Sequence, residues 1–215
     1  MPAKLSFEEA IQFLAGDDKR PMLVLRECKV CNGTDDMLLS PGLDNTRTLI
    51  MTRWFNCVKL PMHVLEDDNA FHCFFEGEVA PHLFVCRYDG TGMKPLGGDT
   101  DVKELWTLME ELLTTEYKLD WEKSVKKLGP LMDEYDLLDM EMLQVQGMVE
   151  GELEKNGPKS KQLKKLNKQF DKLKDQMEDL KEEEAKLSEL KLKYLQKGYD
   201  PKKDKYRKDE LKSKS

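Results

Sequence analysis

Two runs of apolar residues spaced alternately three and four apart most constrain this 215-residue chain. The first is Leu128, Leu131, Tyr135, Leu138, Met142, Val145 and Val149. The second is Leu163, Leu166, Phe170, Leu173, Met177 and Leu180, reaching Leu187 after Glu184 takes the intervening position. Such spacing keeps one stripe on one side of a helix, and repeated in heptads it forms a coiled-coil seam. The spacing returns after "EKNGPKS", and the Gly157-Pro158 turn is short, so the two helices are expected to return on each other as an antiparallel hairpin. Charge favours the pairing: Asp133, Glu134, Asp136, Asp139 and Glu141 mark the first helix, while Lys161, Lys164, Lys165 and Lys168 open the second. The second helix is expected to be about ten residues longer. Its end would pack back on the rest of the chain or meet a partner.

The charge balance divides the chain in the same way. Residues 158–215 hold 19 Lys/Arg and 12 Asp/Glu, a balance of +7, against −14 for the other 157 residues. An acidic body thus carries a basic tail, and the two are expected to do different jobs. In 202–214 there are seven Lys/Arg against three acids, with too few apolar groups to fold alone. Lysines in 171–191 alternate with acids, as on a solvated coiled coil, and Tyr199 and Tyr206 are too few for base stacking. A protein partner, or a second copy met through the coiled coil, fits better than nucleic acid. No run approaches the roughly 18 apolar residues of a membrane span. The amphipathic, acidic N-terminus lacks the order of a signal peptide, and five cysteines do not suggest a secreted disulfide framework, so a cytoplasmic protein is expected.

Residues 1–117 read as an α/β unit. Phe7, Ala10, Ile11, Phe13 and Leu14 suggest a helix face after a Ser6 cap, closed by Gly16. "MLVLRE" reads as a buried strand, and "TDDMLLS" as the first turns of a helix. "RTLIMTRWFNCVKLPMHVL" suits one long or two short strands by its β-branched and aromatic content. Two further strands flank Asp89-Gly90, and "TDVKELWTLMEELLTTEY" is a closing helix capped by Thr100 or Asp101. This order implies an α/β sandwich with a mixed sheet. The expected organisation is therefore residues 1–117, a helical hairpin over 118–198 and a basic tail over 199–215.

The chemistry-bearing residues cluster at "RECKVCNGTDD". Cys28 and Cys31 follow a strand and precede a helix start, where unpaired N–H groups favour a thiolate. Lys29 adds a positive charge, and Cys31 one turn on could resolve a mixed disulfide. A redox-active pair, a binding surface and half of a metal site all remain open from these residues. Metal would need two further ligands, for which His63, His72, Cys73 and His82 are candidates without zinc-motif spacing. Cys57 and Cys86, among Phe, Val and Leu, read as buried structural thiols. No phosphate loop, Ser/His/Asp order or carboxylate dyad stands out, and no cofactor is implied.

With "EVAPHLFVCRYDGT" added, residues 5–117 resemble the thioredoxin superfamily, and the "CxxCxGTDD" and "TRWFNCVKLP" segments are similar to those of a bacterial group of thioredoxin-like proteins. The resemblance implies a thioredoxin-like sandwich with Cys28 attacking, Cys31 resolving, and Pro81 as a cis-proline beside them. His82 would then face the pair. It also implies that "RTLIMTRWFNCVKLPMHV" is a helix end followed by the strand beside the first one. The usual Trp-Cys-Gly-Pro-Cys is absent: Glu27 precedes the pair, where its charge opposes thiolate formation, and Lys29-Val30 lie within it. The function implied is a thiol–disulfide oxidoreductase or redox sensor acting on a protein, or else a non-catalytic adaptor binding through the hairpin.

Overall fold

The computed structural model describes residues 4–27, 45–76, 80–98, 100–118 and 120–195. It divides into two compact units: Glu122–Glu189, and the chain up to Trp121 together with the segment from Leu190 onward.

The larger unit opens with α1 (Phe7–Ala15). Ser6 Oγ accepts from the Glu9 N–H at 3.3 Å, and a Glu9 carboxylate oxygen accepts from the Ser6 N–H at 2.9 Å. This reciprocal cap satisfies two N–H groups that the first turn leaves without helical partners. Ala10, Ile11 and Ala15 face inward, whereas Phe13 is 71% exposed, which corrects its expected place on the buried face. Two residues apart on a helix are roughly 200° around, so Phe13 cannot share Ile11's side.

Strand β1 (Met22–Arg26) is buried along its whole length. It pairs in parallel with β2 (Asn56–Leu60) and antiparallel with β3 (Leu83–Cys86), and β3 pairs antiparallel with β4 (Lys94–Leu96). The sheet order is β2-β1-β3-β4. Parallel neighbours need a crossover, and the described part of it is the helix α2 (Thr46–Thr52). Thus "RTLIMT" is helical and "NCVKL" is a strand, which corrects the all-strand reading of that segment. Thr48, Ile50 and Met51 are buried in this helix, and tertiary burial overrides the strand propensity of its β-branched residues.

The β3–β4 connection needs glycine at position 90. Gly90 has φ +78, and a Cβ there would stand 2.8 Å from Ile11 Cγ1. On one side of the sheet Met22, Val24, Phe84 and Cys86 pack with α1, Val64, Phe74 and Phe75. Edge-to-face contact of Phe7 with Phe74 at 5.4 Å joins the first helix to that cluster. The alternate residues Leu23, Leu25, Leu83 and Val85 are equally buried and point to the other side. There α3 (Val102–Glu116) lies against β3 and buries Leu105, Met109 and Leu113. Asp101, rather than Thr100, caps α3 by accepting from the Lys103 N–H at 2.8 Å. Tyr117 donates to the Trp54 carbonyl at 2.6 Å, and Trp106 Nε1 donates to Thr48 Oγ1 at 2.7 Å, tying α3 to α2 and the turn after it.

The segment Leu190–Leu195 belongs to this unit. The Lys118 N–H donates to the Lys191 carbonyl at 3.0 Å, and Tyr117 and Leu192 form an antiparallel bridge. Lys193 Nζ donates to the Thr114 carbonyl at 2.8 Å. The Tyr194 ring stacks on Tyr88 at 4.9 Å, with its hydroxyl on the Lys19 carbonyl. These contacts hold Leu190–Leu195 within the larger unit.

The second unit consists of α4 (Trp121–Asn156, its first residue counted with the other unit) and α5 (Lys161–Ser188). Gly157, with φ +70, turns the chain between them. Ser160 bonds Glu152 across that turn, and Tyr135 bonds Glu184 at 2.7 Å near the other end, so the helices run in opposite directions. Leu128, Leu131, Val145, Leu163, Leu166 and Leu173 are buried, all of them seam positions. At 36 residues α4 exceeds α5 at 28, so the expectation of a longer second helix is corrected. Residues expected to extend it form the returning segment instead. Among the described residues, no helix is long and apolar enough to cross a membrane.

Candidate functional site

The C-terminal end of β1 is where the sequence places its chemistry. Cys28, Lys29 and Cys31 themselves lie outside the described residues, as does "TDDMLLS". What surrounds the point where the chain leaves β1 is described. The Arg26 N–H donates to the His82 carbonyl at 2.8 Å, and the Glu27 N–H donates to the Leu60 carbonyl at 2.8 Å. The strand end is thus held from both sides, by β2 and by the residue entering β3.

Pro81 and His82 sit beside it. Arg26 Nε donates to the Pro81 carbonyl at 3.2 Å, and the His82 N–H donates to the Leu96 carbonyl at 3.0 Å. The Ala80–Pro81 peptide is trans, because no described peptide bond is cis, and this corrects the cis-proline that the resemblance implies. Trans is the ordinary state of an X–Pro bond. Bonding of the Pro81 carbonyl to Arg26, and of both His82 backbone groups to β1 and β4, holds the segment in extended pairing. The His82 ring packs over Gly98, where a Cβ would stand 3.2 Å from the imidazole.

Arg26 is the residue that sequence reasoning missed. It is 6% exposed, bonded to Pro81, and its guanidinium carbon lies 5.9 Å from the Phe75 ring centroid. A guanidinium keeps its charge when buried, so it supplies a fixed positive field at the strand end. The available signal was an arginine closing an otherwise apolar strand. Glu27, whose charge opposes thiolate formation, forms an ion pair with Lys59 at 3.0 Å, an exposed contact of small energy.

The other thiols are poorly suited to nucleophilic work. Burial pushes the Cys86 thiol up to about 12, with Asp89 adding to the effect. Cys73 is raised by burial and then by Glu76. Cys57 occupies an exposed position of the edge strand β2, which corrects its expected burial. Its sulfur rests 3.6 Å from the Thr52 carbonyl, and loss of solvent around the sulfur raises its pKa. These thiols are almost wholly protonated at neutral pH.

The histidines are dispersed. His72 bonds the Val64 carbonyl through Nδ1 at 3.3 Å and lies 3.5 Å from Asp67 through Nε2. Among the described residues, no group of three His, Cys, Asp or Glu side chains is arranged to hold a metal.

The end of β1 therefore carries a buried cation bonded to the Pro81 carbonyl, with the His82 backbone held between β1 and β4. A buried cation can favour an anionic group nearby. No protein-family model matches the chain. No curated protein matches it, and no solved structure does.

Proposed function

We propose that the larger unit is a thioredoxin-like domain performing thiol–disulfide exchange on a protein through Cys28 and Cys31. The observation that carries this reading is the strand order β2-β1-β3-β4. Its parallel pair is joined through a helical crossover, in keeping with the helix end and neighbouring strand that the resemblance implies, and is followed by an antiparallel hairpin and a closing helix. The cysteine pair follows the end of β1 directly, where the carboxyl ends of parallel strands open a crevice.

In the proposed reaction the Cys28 thiolate attacks one sulfur of a partner disulfide. A mixed disulfide forms and the other partner sulfur leaves as thiolate. Cys31 then attacks the Cys28 sulfur, releasing the reduced partner and leaving Cys28–Cys31 oxidised. Arg26 stabilises the thiolate electrostatically. The helices α4 and α5 act as a coiled-coil hairpin that selects the partner.

The test is disulfide reduction by the full chain. Cys28→Ser is expected to abolish it, and Cys31→Ser to accumulate mixed disulfides with the partner. Absence of exchange, together with an ordinary Cys28 thiol pKa near 8.5, overturns the reading. The trans Ala80–Pro81 bond favours a second reading, in which the same fold is a non-catalytic adaptor. That reading predicts partner capture unchanged by Cys28→Ser.

A further inference from the structure

The seam between α4 and α5 does not close evenly. Leu131, Val145 and Leu173 are buried in it, whereas Leu138 and Met142 on α4 and Met177 and Leu180 on α5 are only half-buried. At that level the two helices enclose an open recess of about 410 Å³. Its apolar lining is Leu137, Leu138 and Leu180, and its polar lining is Glu134, Glu141, Asp179 and Gln176. Leu137 stands beside the seam and is 56% exposed. Two packed helices leave one side of a shared apolar stripe open to water, and a third helix laid along both removes it.

Charge decides which kind of helix fits. Residues 133–141 of α4 and 175–184 of α5 hold eleven Asp/Glu and one lysine. That lysine, Lys181, is bonded to Glu178 at 2.7 Å. Towards the turn the character reverses, and Lys165, Lys168 and Lys172 line a separate recess on α5. The hairpin of a second copy would set this acidic stretch against another like it or leave it uncovered. An anionic membrane surface and a nucleic acid backbone are repelled by the same carboxylates. The occupant is therefore cationic as well as apolar.

We propose that this recess docks a basic amphipathic helix of another protein. Glu134 and Glu141 are one heptad apart, about 10 Å along α4. Lys or Arg at positions i and i+7 of the partner matches that separation, and apolar residues at i+3 and i+4 then meet Leu137, Leu138 and Leu180. Long cationic side chains suit the site, because their alkyl stems cover leucine while their heads reach Glu134, Glu141 and Asp179 in water. The inference rests on the partner-selecting role given to the hairpin above, and it names that partner's chemistry; it makes no use of the cysteines.

The test is fluorescence anisotropy of a labelled peptide built from repeats of Lys-Ala-Ala-Leu-Leu-Ala-Ala, titrated with the full chain. Saturable binding that weakens with added salt is expected. Glu134→Lys combined with Glu141→Lys should raise the dissociation constant about tenfold, since two attractions become repulsions. Glu150→Lys combined with Glu154→Lys makes the same change of net charge on the far side of α4 and should alter it less than about twofold. Leu137→Asp should weaken binding about tenfold with helical circular dichroism intact. Absence of saturable binding overturns the proposal, as does equal weakening by the two charge reversals. Tighter binding of a peptide of residues 199–215 would assign the recess to the chain's own basic tail and overturn it too. So would self-association of the unaltered protein that Leu137→Asp abolishes. Cys28→Ser should bind the peptide normally. Docking without disulfide exchange then sinks only the thiol reading, and exchange without docking sinks only this one.

Discussion

The sheet-containing unit and the helical hairpin hold themselves together by opposite means. In the former, contacts join residues far apart in the chain. The Tyr117 hydroxyl reaches the Trp54 carbonyl, and Arg87 Nε meets Glu116 at 2.6 Å with both side chains almost wholly buried. In the hairpin, stability rests on one repeating apolar stripe, with the Tyr135–Glu184 bond between the two helices. A charge withdrawn from water must be paired, so the first unit is intolerant at single positions. A stripe divides its burial over many side chains, so the second degrades in steps.

The sharpest test of that contrast is the buried ion pair. Glu116→Ala leaves the Arg87 guanidinium inside without this carboxylate and is expected to cost about 3–5 kcal/mol. Urea unfolding should show the loss in the fluorescence of Trp54 and Trp106, with the helical signal of the hairpin retained at the same denaturant. Simultaneous loss of both signals would break the comparison and make the units one cooperative body. Leu173→Ala in the buried stripe of α5 is expected to cost about 2–3 kcal/mol, at the lower end for a buried leucine because water can reach a two-helix seam. Far-ultraviolet circular dichroism during unfolding measures it.

A smaller effect is expected for Tyr117→Phe. The Trp54 carbonyl loses its bond in a buried place, at about 1–2 kcal/mol by chemical denaturation. The smallest concerns pH. Hydrogen bonds from Arg20 hold the Asp18 carboxyl below its ordinary range. A depressed carboxyl contributes stability fully above its unfolded pKa of about 3.9, and the contribution fades as pH falls through the lower folded value. Melting temperatures of the protein and Asp18→Asn should therefore differ slightly at pH 6 and converge at strongly acid pH. The Arg20 side chain is 41% exposed, so added salt should narrow the difference.

Legibility followed the same division. The apolar stripes could be read because a period in the sequence is a face on the helix, and the chain turns at Gly157 between the two helices. The capping box at Ser6–Glu9, the turn at Gly90 and the Asp101 cap were legible for that reason. For segment 46–52 the strand reading from propensity failed, because β-branched residues prefer strands only when a neighbouring strand exists to pack on, whereas a helix end followed by the strand beside the first one agrees with α2 and β2. Phe13 was misplaced by counting apolar residues without their angles. At the candidate site the cysteine pair was visible, but Arg26 was not. Its importance depends on Pro81 and Phe75, 55 and 49 residues away, lying beside it.

The amino-acid sequence by itself determined the capping box of α1, the turn at Gly90 and the apolar stripes of α4 and α5, because each depends on neighbours within a few residues. Tertiary structure decided the rest. It set the strand order, kept Ala80–Pro81 trans, buried Arg26 at the end of β1, and fastened Leu190–Leu195 to the sheet-containing unit. Each of those outcomes is a choice of partner across a long stretch of chain. Such choices are made by which surfaces can exclude water together, and no local pattern carries that information.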